Sequence, residues 1–308
     1  MVQKVLEFTD AVKKYYSEDG SVVSFYSSLY REMISNDVLD INFVSQMVDV
    51  DTTCQRLSEL LILKHCVESG FTILKGKKKK GSPDITFEFE TRKVNIEVIT
   101  PRMVTEAASS FAQIDCTPFK SARSERRSVI VPTPKMESLH PRITGALKEK
   151  ADKFEGYISG GAVAKGDINI VCINLGFVDG NDLIDYPYLK NIFYKQEVIY
   201  IDIEKEAGSG VGIREYDFTV VKETGAEFRA SYFDNFYFSH IDGAWVVSCN
   251  EKVRVNIRKP VYEHDIYRNV FYAGKNSKAS DSLLAALSIN SPASDGFIAH
   301  IKTHGKLP

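Results

Sequence analysis

Cysteine is scarce in this chain, and the few present do not pair. Cys54, Cys66, Cys116, Cys172 and Cys249 are odd in number, widely spaced, and form neither a Cys-x-x-Cys pair nor a zinc spacing. A set like this argues against a disulfide framework and reads as reduced, intracellular thiols. Long apolar runs are missing as well; none approaches the roughly 20 residues that span a bilayer. The first residues, MVQKVLEFTDAVKKYYSEDG, are charged throughout and lack the apolar centre of a signal peptide. The expected location is therefore the cytoplasm, with no membrane partner. No charge of one sign dominates either: the formal net charge is −2, so affinity for a polyanion would have to come from a local basic patch. There is no internal repeat, low-complexity tract or clear linker. What remains is an ordinary globular composition, 44% hydrophobic and 26% charged, in 308 residues that suffice for one large core or two modest ones.

The most informative stretch is Pro83 to Thr100, PDITFEFETRKVNIEVIT. Ile85, Phe87 and Phe89 alternate with Thr86, Glu88 and Glu90. After Thr91–Lys93, Val94, Ile96 and Val98 alternate with Asn95, Glu97 and Ile99. Period-two alternation across a polar break predicts a β-hairpin. Antiparallel pairing would let Asp84, at its entry, face Glu97, near its exit. Like charges that close repel, so a cation between them is expected, and carboxylate oxygens suit Mg²⁺ or Mn²⁺. Against this stands a solvated hairpin that carries surface acids.

Two helices flank that hairpin. Residues 52 to 69 form the most hydrophobic one, closed by Gly70. Glu59 sits among Leu57, Leu60, Leu61, Ile62, Leu63 and Val67. A carboxylate buried there needs a partner, whether a cation, an arginine or a metal. The alternative is a narrow exposed strip shared with Arg56 at i−3 and Lys64 at i+5. The second helix is expected from Pro141 to about Glu155, with proline in its first turn. Ile143, Leu147 and Phe154 make an apolar stripe, and Lys150 falls in its middle. A lysine there either snorkels outward or meets buried carboxylates.

Together these residues resemble the PD-(D/E)xK nuclease superfamily over roughly residues 52 to 175. Pro83-Asp84 matches the PD, and Glu97-Val98-Ile99 matches the (D/E)xK except that Ile99 stands where the lysine belongs. The resemblance implies a restriction-endonuclease-like α/β fold with a mixed central sheet flanked by helices. It implies that the acid of the first helix, Glu59, joins Asp84 and Glu97 as a metal ligand, with Mg²⁺ or Mn²⁺ as cofactor. It also implies that the missing lysine can come from the following helix, as Lys150, with Lys148 and Lys153 as lesser candidates. The activity implied is metal-dependent endonuclease cleavage of DNA, with RNA as the other substrate, in restriction or phage defence. The competing expectation is a nucleic-acid-binding or scaffold protein on the same fold that has lost catalysis. A third is an unrelated interaction protein whose acids are superficial.

The rest of the chain supplies context. Residues 1–50 read as a helical N-terminal extension, with Ser21 and Asp40 as N-caps and Gly20 as a stop; 51–260 as the α/β core; and 261–308 as a C-terminal extension. Lys77, Lys78, Lys79 and Lys80, shortly before Asp84, could hold phosphates, as could Arg142 at the start of the second helix; a solvated turn is the plain alternative for the lysines. Phe71–Leu74, Asp167–Asn174, Glu197–Ile203, Phe236–Ser239, Ala244–Cys249 and Val253–Ile257 read as strands, and 104–140 as an irregular segment. GSGVG at 208–212 lacks the strand-to-helix context of a phosphate cradle. His240 and Asp242 read as a turn, since no nucleophile elbow accompanies them. A homodimer is a further expectation.

Overall fold

The computed structural model describes residues 2–40, 42–74, 81–101, 110–115, 128–133, 136–178, 186–204, 208–216, 219–221, 225, 227–234, 238–252 and 269–289. In chain order the elements are α1 (Val2–Tyr15), α2 (Gly20–Ser35), a 3-10 turn (Val44–Gln46), α3 (Val50–Glu68), β1 (Ile85–Phe89), β2 (Arg92–Ile99), β3 (Ser110–Asp115), β4 (Ser128–Thr133) and α4 (Met136–Ser159). There follow β5 (Ile168–Asn174), α5 (Tyr186–Phe193), β6 (Gln196–Glu204), β7 (Gly208–Tyr216), β8 (Thr219–Val221), β9 (Glu227–Arg229), β10 (Gly243–Val247), β11 (Asn269–Ala273) and α6 (Asp281–Ala286).

The protein is mixed α/β. Its central sheet has the order β1-β2-β5-β10-β11. The expected hairpin pairs Ile85 with Ile96 and Phe89 with Arg92, and turns at Glu90–Thr91 with Glu90 at φ 54°. β5 lies parallel to β2, and β10 lies parallel to β5, whereas β11 returns antiparallel at the far edge. The β2-to-β5 crossover contains the β3–β4 ribbon and α4. Both faces of the sheet are covered, which is why β5 throughout and β2 from Val94 onward are buried continuously instead of alternating. On one face Val94, Ile96, Val98 and Trp245 pack in one core with Leu57 and Leu60 of α3 and with α1 and α2. On the other, Ile99, Val171 and Val246 pack with Ile143, Leu147, Ala151 and Phe154 of α4. Asn174 ties the layers by donating to Ser58 Oγ at 2.6 Å and to the Cys249 carbonyl at 3.0 Å.

α3 starts cleanly because Asp49 and Thr52 form a reciprocal capping box, and it ends at Ser69 before Gly70 at φ 88°. Several expectations are corrected. The cap of α2 is Asp19, whose carboxylate accepts from Ser21 N at 2.7 Å, so Gly20 opens that helix and Ser21 is inside it. Asp40 caps no helix; it accepts from Asn42 N in a turn. The segment 104–140 is not simply irregular, since β3 and β4 pair antiparallel within it. α4 begins at Met136, so Pro141 lies inside it, costing one backbone hydrogen bond instead of occupying the first turn. Phe71–Leu74 contributes a single bridge, Ile73 to Phe87. Of the expected strand Phe236–Ser239, Phe238 and Ser239 lie in a helical turn and not in a strand, while Phe236 and Tyr237 lie outside the described residues. GSGVG opens β7, which pairs with β6 outside the central sheet. β11 joins that sheet from beyond residue 260. Val253–Ile257 lies outside the described residues.

Candidate active site

Asp84 sits one residue before β1 and Glu97 within β2, one step beyond the Ile85–Ile96 pair, so the hairpin register sets them side by side. Asp84 Oδ2 accepts from the backbone N–H of Val98 at 2.9 Å, which anchors the carboxylate beside its neighbour. Glu97 is 1% exposed. Two like charges are held in this space because a third group separates them. Lys150 Nζ lies 2.7 Å from Glu97 Oε2 and 3.7 Å from Asp84 Oδ2. Its stem runs through the apolar stripe of α4, so its ammonium is delivered to the sheet and not to solvent. On the same face of α4, at i+7, Tyr157 donates its phenolic O–H to Glu97 Oε1 at 2.9 Å.

α3 approaches the end of β2 from the opposite face. Glu59, also buried, accepts from the Gln55 carboxamide at 2.9 Å and is ion-paired with Arg56. Glu59 thus combines the burial of one reading of its helix with the arginine partner of the other. Lys64 points elsewhere, to Glu32 and Glu68. Gln55 laces helix to strand: the same Nε2 donates to the Val98 carbonyl at 2.8 Å, and Oε1 accepts from Thr100 N at 3.0 Å.

The electrostatics follow from burial and proximity. Burial first, and then the charge of Asp84, push the Glu59 carboxyl up from 4.5 to about 7; Arg56 and Gln55 oppose this. The same two causes raise Glu97, against Lys150 and Tyr157. For Lys150 burial pulls down, but the charges of Asp84 and Glu97 outweigh it and leave the ammonium above the ordinary lysine range. Burial and the Glu97 charge likewise raise the Tyr157 phenol, which remains an O–H donor at neutral pH.

The structure therefore brings together Asp84, Glu97 and Lys150, with Glu59 close enough to feel the charge of Asp84. Arg142 lies eight positions before Lys150 on α4, about 12 Å along the axis. Lys148 is exposed and Lys153 pairs with Glu149 at 3.2 Å, so neither reaches the acids. Lys77, Lys78, Lys79 and Lys80 lie outside the described residues. His240 meets the Ala151 carbonyl at 2.8 Å, while Asp242 accepts from Asn169 N and pairs with Lys278, which makes both of them structural ties. Two residues of the site escaped the sequence reading, Gln55 and Tyr157. Their spacing, i−4 from Glu59 and i+7 from Lys150, was the available signal.

Among the described residues no group of three or more His, Cys, Asp or Glu side chains is placed to hold a metal ion. The expected triad of Glu59, Asp84 and Glu97 is thus not assembled as ligands, because Glu59 is turned to Arg56 and Gln55. The pair Asp84 and Glu97 does fit a hard divalent ion by its chemistry. Both donors are carboxylates, and the pair already holds one cation, the Lys150 ammonium. Mg²⁺ commonly takes one or two carboxylates and completes its shell with water and substrate phosphate. Among the described residues no helix is long and apolar enough to cross a membrane. No protein-family model matches the chain, and neither a curated protein nor a solved structure does.

Proposed function

We propose that this chain is a metal-dependent phosphodiesterase, an endonuclease that hydrolyses the DNA backbone, on a restriction-endonuclease-like core. The single observation that carries the reading is the position of Lys150. A strand with Ile99 in the lysine position receives an ammonium from the neighbouring helix, 2.7 Å from Glu97 and against Asp84. Asp84 and Glu97 would hold Mg²⁺ or Mn²⁺, which when bound polarises the scissile phosphate and acidifies a water. Lys150 keeps its proton, so it serves as a charge and a donor rather than as a base. It orients the water and steadies the negative charge that develops on phosphate oxygens. Tyr157 aligns Glu97 through its other oxygen, and Gln55 sets Glu59 against the end of β2. A cytoplasmic restriction or phage-defence role, and a homodimer that cuts both strands, go with this reading.

Asp84→Ala and Asp84→Asn should abolish Mg²⁺-dependent nicking of plasmid while the far-ultraviolet circular dichroism stays that of the parent. Lys150→Ala should lower the cleavage rate by about 10²–10³, the usual loss for one electrostatic stabiliser. An Asp84→Ala protein that nicks as fast as the parent would end the proposal. A second reading, a nucleic-acid-binding scaffold without catalysis, is favoured by the ammonium of the chain itself standing between the two acids. It predicts salt-sensitive DNA retention with no nicking in Mg²⁺ or Mn²⁺ by the parent chain.

A further inference from the structure

The cluster contains more internal partners than a site waiting for a cation requires. Each oxygen of Glu97 has a donor, Tyr157 on Oε1 and Lys150 on Oε2. Each oxygen of Glu59 has one as well, Gln55 on Oε1 and Arg56 on Oε2. The Val98 carbonyl, at the end of the same strand, is covered by Gln55. A divalent ion at Asp84 and Glu97 would thus meet an ammonium already lodged between them, and two positive centres sharing that gap repel. The lysine side chain has somewhere to go. It is mostly buried on α4, but 12% of its side chain is exposed, so solvent lies within reach of its flexible stem.

From this geometry, and building on the divalent-cation site proposed above, we infer that Lys150 is a latch that competes with the divalent ion for Asp84 and Glu97, so that loading the site requires the ammonium to swing out. The latch offsets one of the two acid charges when the ion is absent, and it joins α4 to the hairpin only in that state. When substrate phosphates arrive with the ion, the released ammonium is on hand to meet them. Lys150 therefore has two positions, one on the acids and one toward solvent and substrate. Its charge, and not its length, sets how tightly the ion must bind to displace it.

Mn²⁺ affinity, read as free Mn²⁺ by electron paramagnetic resonance without DNA, tests this. Lys150→Met should bind Mn²⁺ about tenfold more tightly than the parent or better, equivalent to about 1.4 kcal/mol. Lys150→Arg, which keeps the charge, should bind as weakly as the parent. Lys148→Met, which removes an exposed lysine that does not reach the acids, should leave affinity unchanged. Should Lys150→Met fold poorly, the parent chain supplies its own readout. Acetylation of Lys150 by an amine-reactive ester, followed by mass spectrometry, should rise several-fold in saturating Mn²⁺ while the exposed Lys148 is unaffected. Equal or weaker Mn²⁺ binding by Lys150→Met, unchanged Lys150 labelling at saturation, or no Mn²⁺ binding by any form would overturn the latch. Plasmid nicking is scored separately: tighter binding by Lys150→Met without nicking by the parent would sink the nuclease and leave the latch standing.

Discussion

Glu59 is the site residue whose surroundings bring its carboxyl up to about 7. Its carboxyl rises from 4.5 to about 7 because burial and the Asp84 charge outweigh Arg56 and Gln55. The folded protein therefore holds a proton that the unfolded chain releases between those values. The sign follows directly: this contribution to stability is fully present below about 4.5 and is lost as pH rises through about 7. A glutamine imitates the protonated form at every pH. In chelator, Glu59→Gln should match the parent near pH 4.5 and exceed it above pH 8 by up to about 3 kcal/mol, since a tenfold change in proton affinity is worth about 1.4 kcal/mol. Some slope should remain in the variant, because Glu97 is raised in the same direction. Urea melts at several pH values give the comparison, and parallel stability curves for the two proteins would show that Glu59 is ionised throughout. The sequence already pointed to a partnered acid here, since a carboxylate amid leucines has few stable alternatives. Lys150 was legible for the same reason, as a lone cation in an apolar stripe. Gln55 and Tyr157 were harder to read, because a neutral amide and a phenol carry no charge that demands a partner, and only their helical spacing pointed to the site.

Elements were legible in proportion to how local their cause is. The hairpin announced itself through alternation, and α3 through its apolar run and its closing glycine. β5 was read to within a residue because a doubly covered parallel strand is a continuous apolar run. The strands that escaped are those whose pairing partners lie far away or whose runs are short. β11, NVFYA, has five residues and finds its partner in β10, 22 to 30 positions upstream. β10 itself starts one residue earlier than alternation suggested, at Gly243, and packing explains the choice. A Cβ there would stand 2.4 Å from Phe271 Cζ and 2.5 Å from the Tyr272 carbonyl oxygen. The neighbouring strand comes too close for any side chain, and the carbonyl cannot yield as a flexible side chain could. Gly243→Ala is therefore expected to destabilise the sheet by about 1–3 kcal/mol, as overpacking does. A thermal melt several degrees lower is the sign of it, and an unchanged melt would mean that β11 yields enough to admit a methyl group.

On the scale of the whole molecule, the first fifty residues carry more than an appendage would. α1 and α2 bury Val5, Phe8, Val12, Val23, Tyr26, Leu29, Tyr30 and Met33. Phe8 stacks on Tyr30 at 4.1 Å, so part of this burial is mutual. The remainder belongs to the same continuous core as Leu57 and Leu60 of α3 and Val94, Ile96 and Val98 of β2. Tyr16 and Tyr26 also converge on Glu251, which lies near the end of β10 in the chain, with hydrogen bonds of 2.8 and 3.1 Å. The two helices thus press α3 onto the sheet, and α3 carries the Gln55 and Glu59 side chains that meet the end of β2. Each buried side chain of this size contributes about 1.5–3 kcal/mol when removed from water. A native domain is held by only about 5–15 kcal/mol in all. Deleting residues 1–40 should therefore bare the outer surface of α3 and leave a chain that aggregates or melts without a cooperative transition. Size-exclusion chromatography and calorimetry of the 41–308 fragment would show it. A monomeric fragment with a sharp transition would make α1 and α2 an added cover, and would place the burden of positioning Glu59 on α3 and the sheet alone.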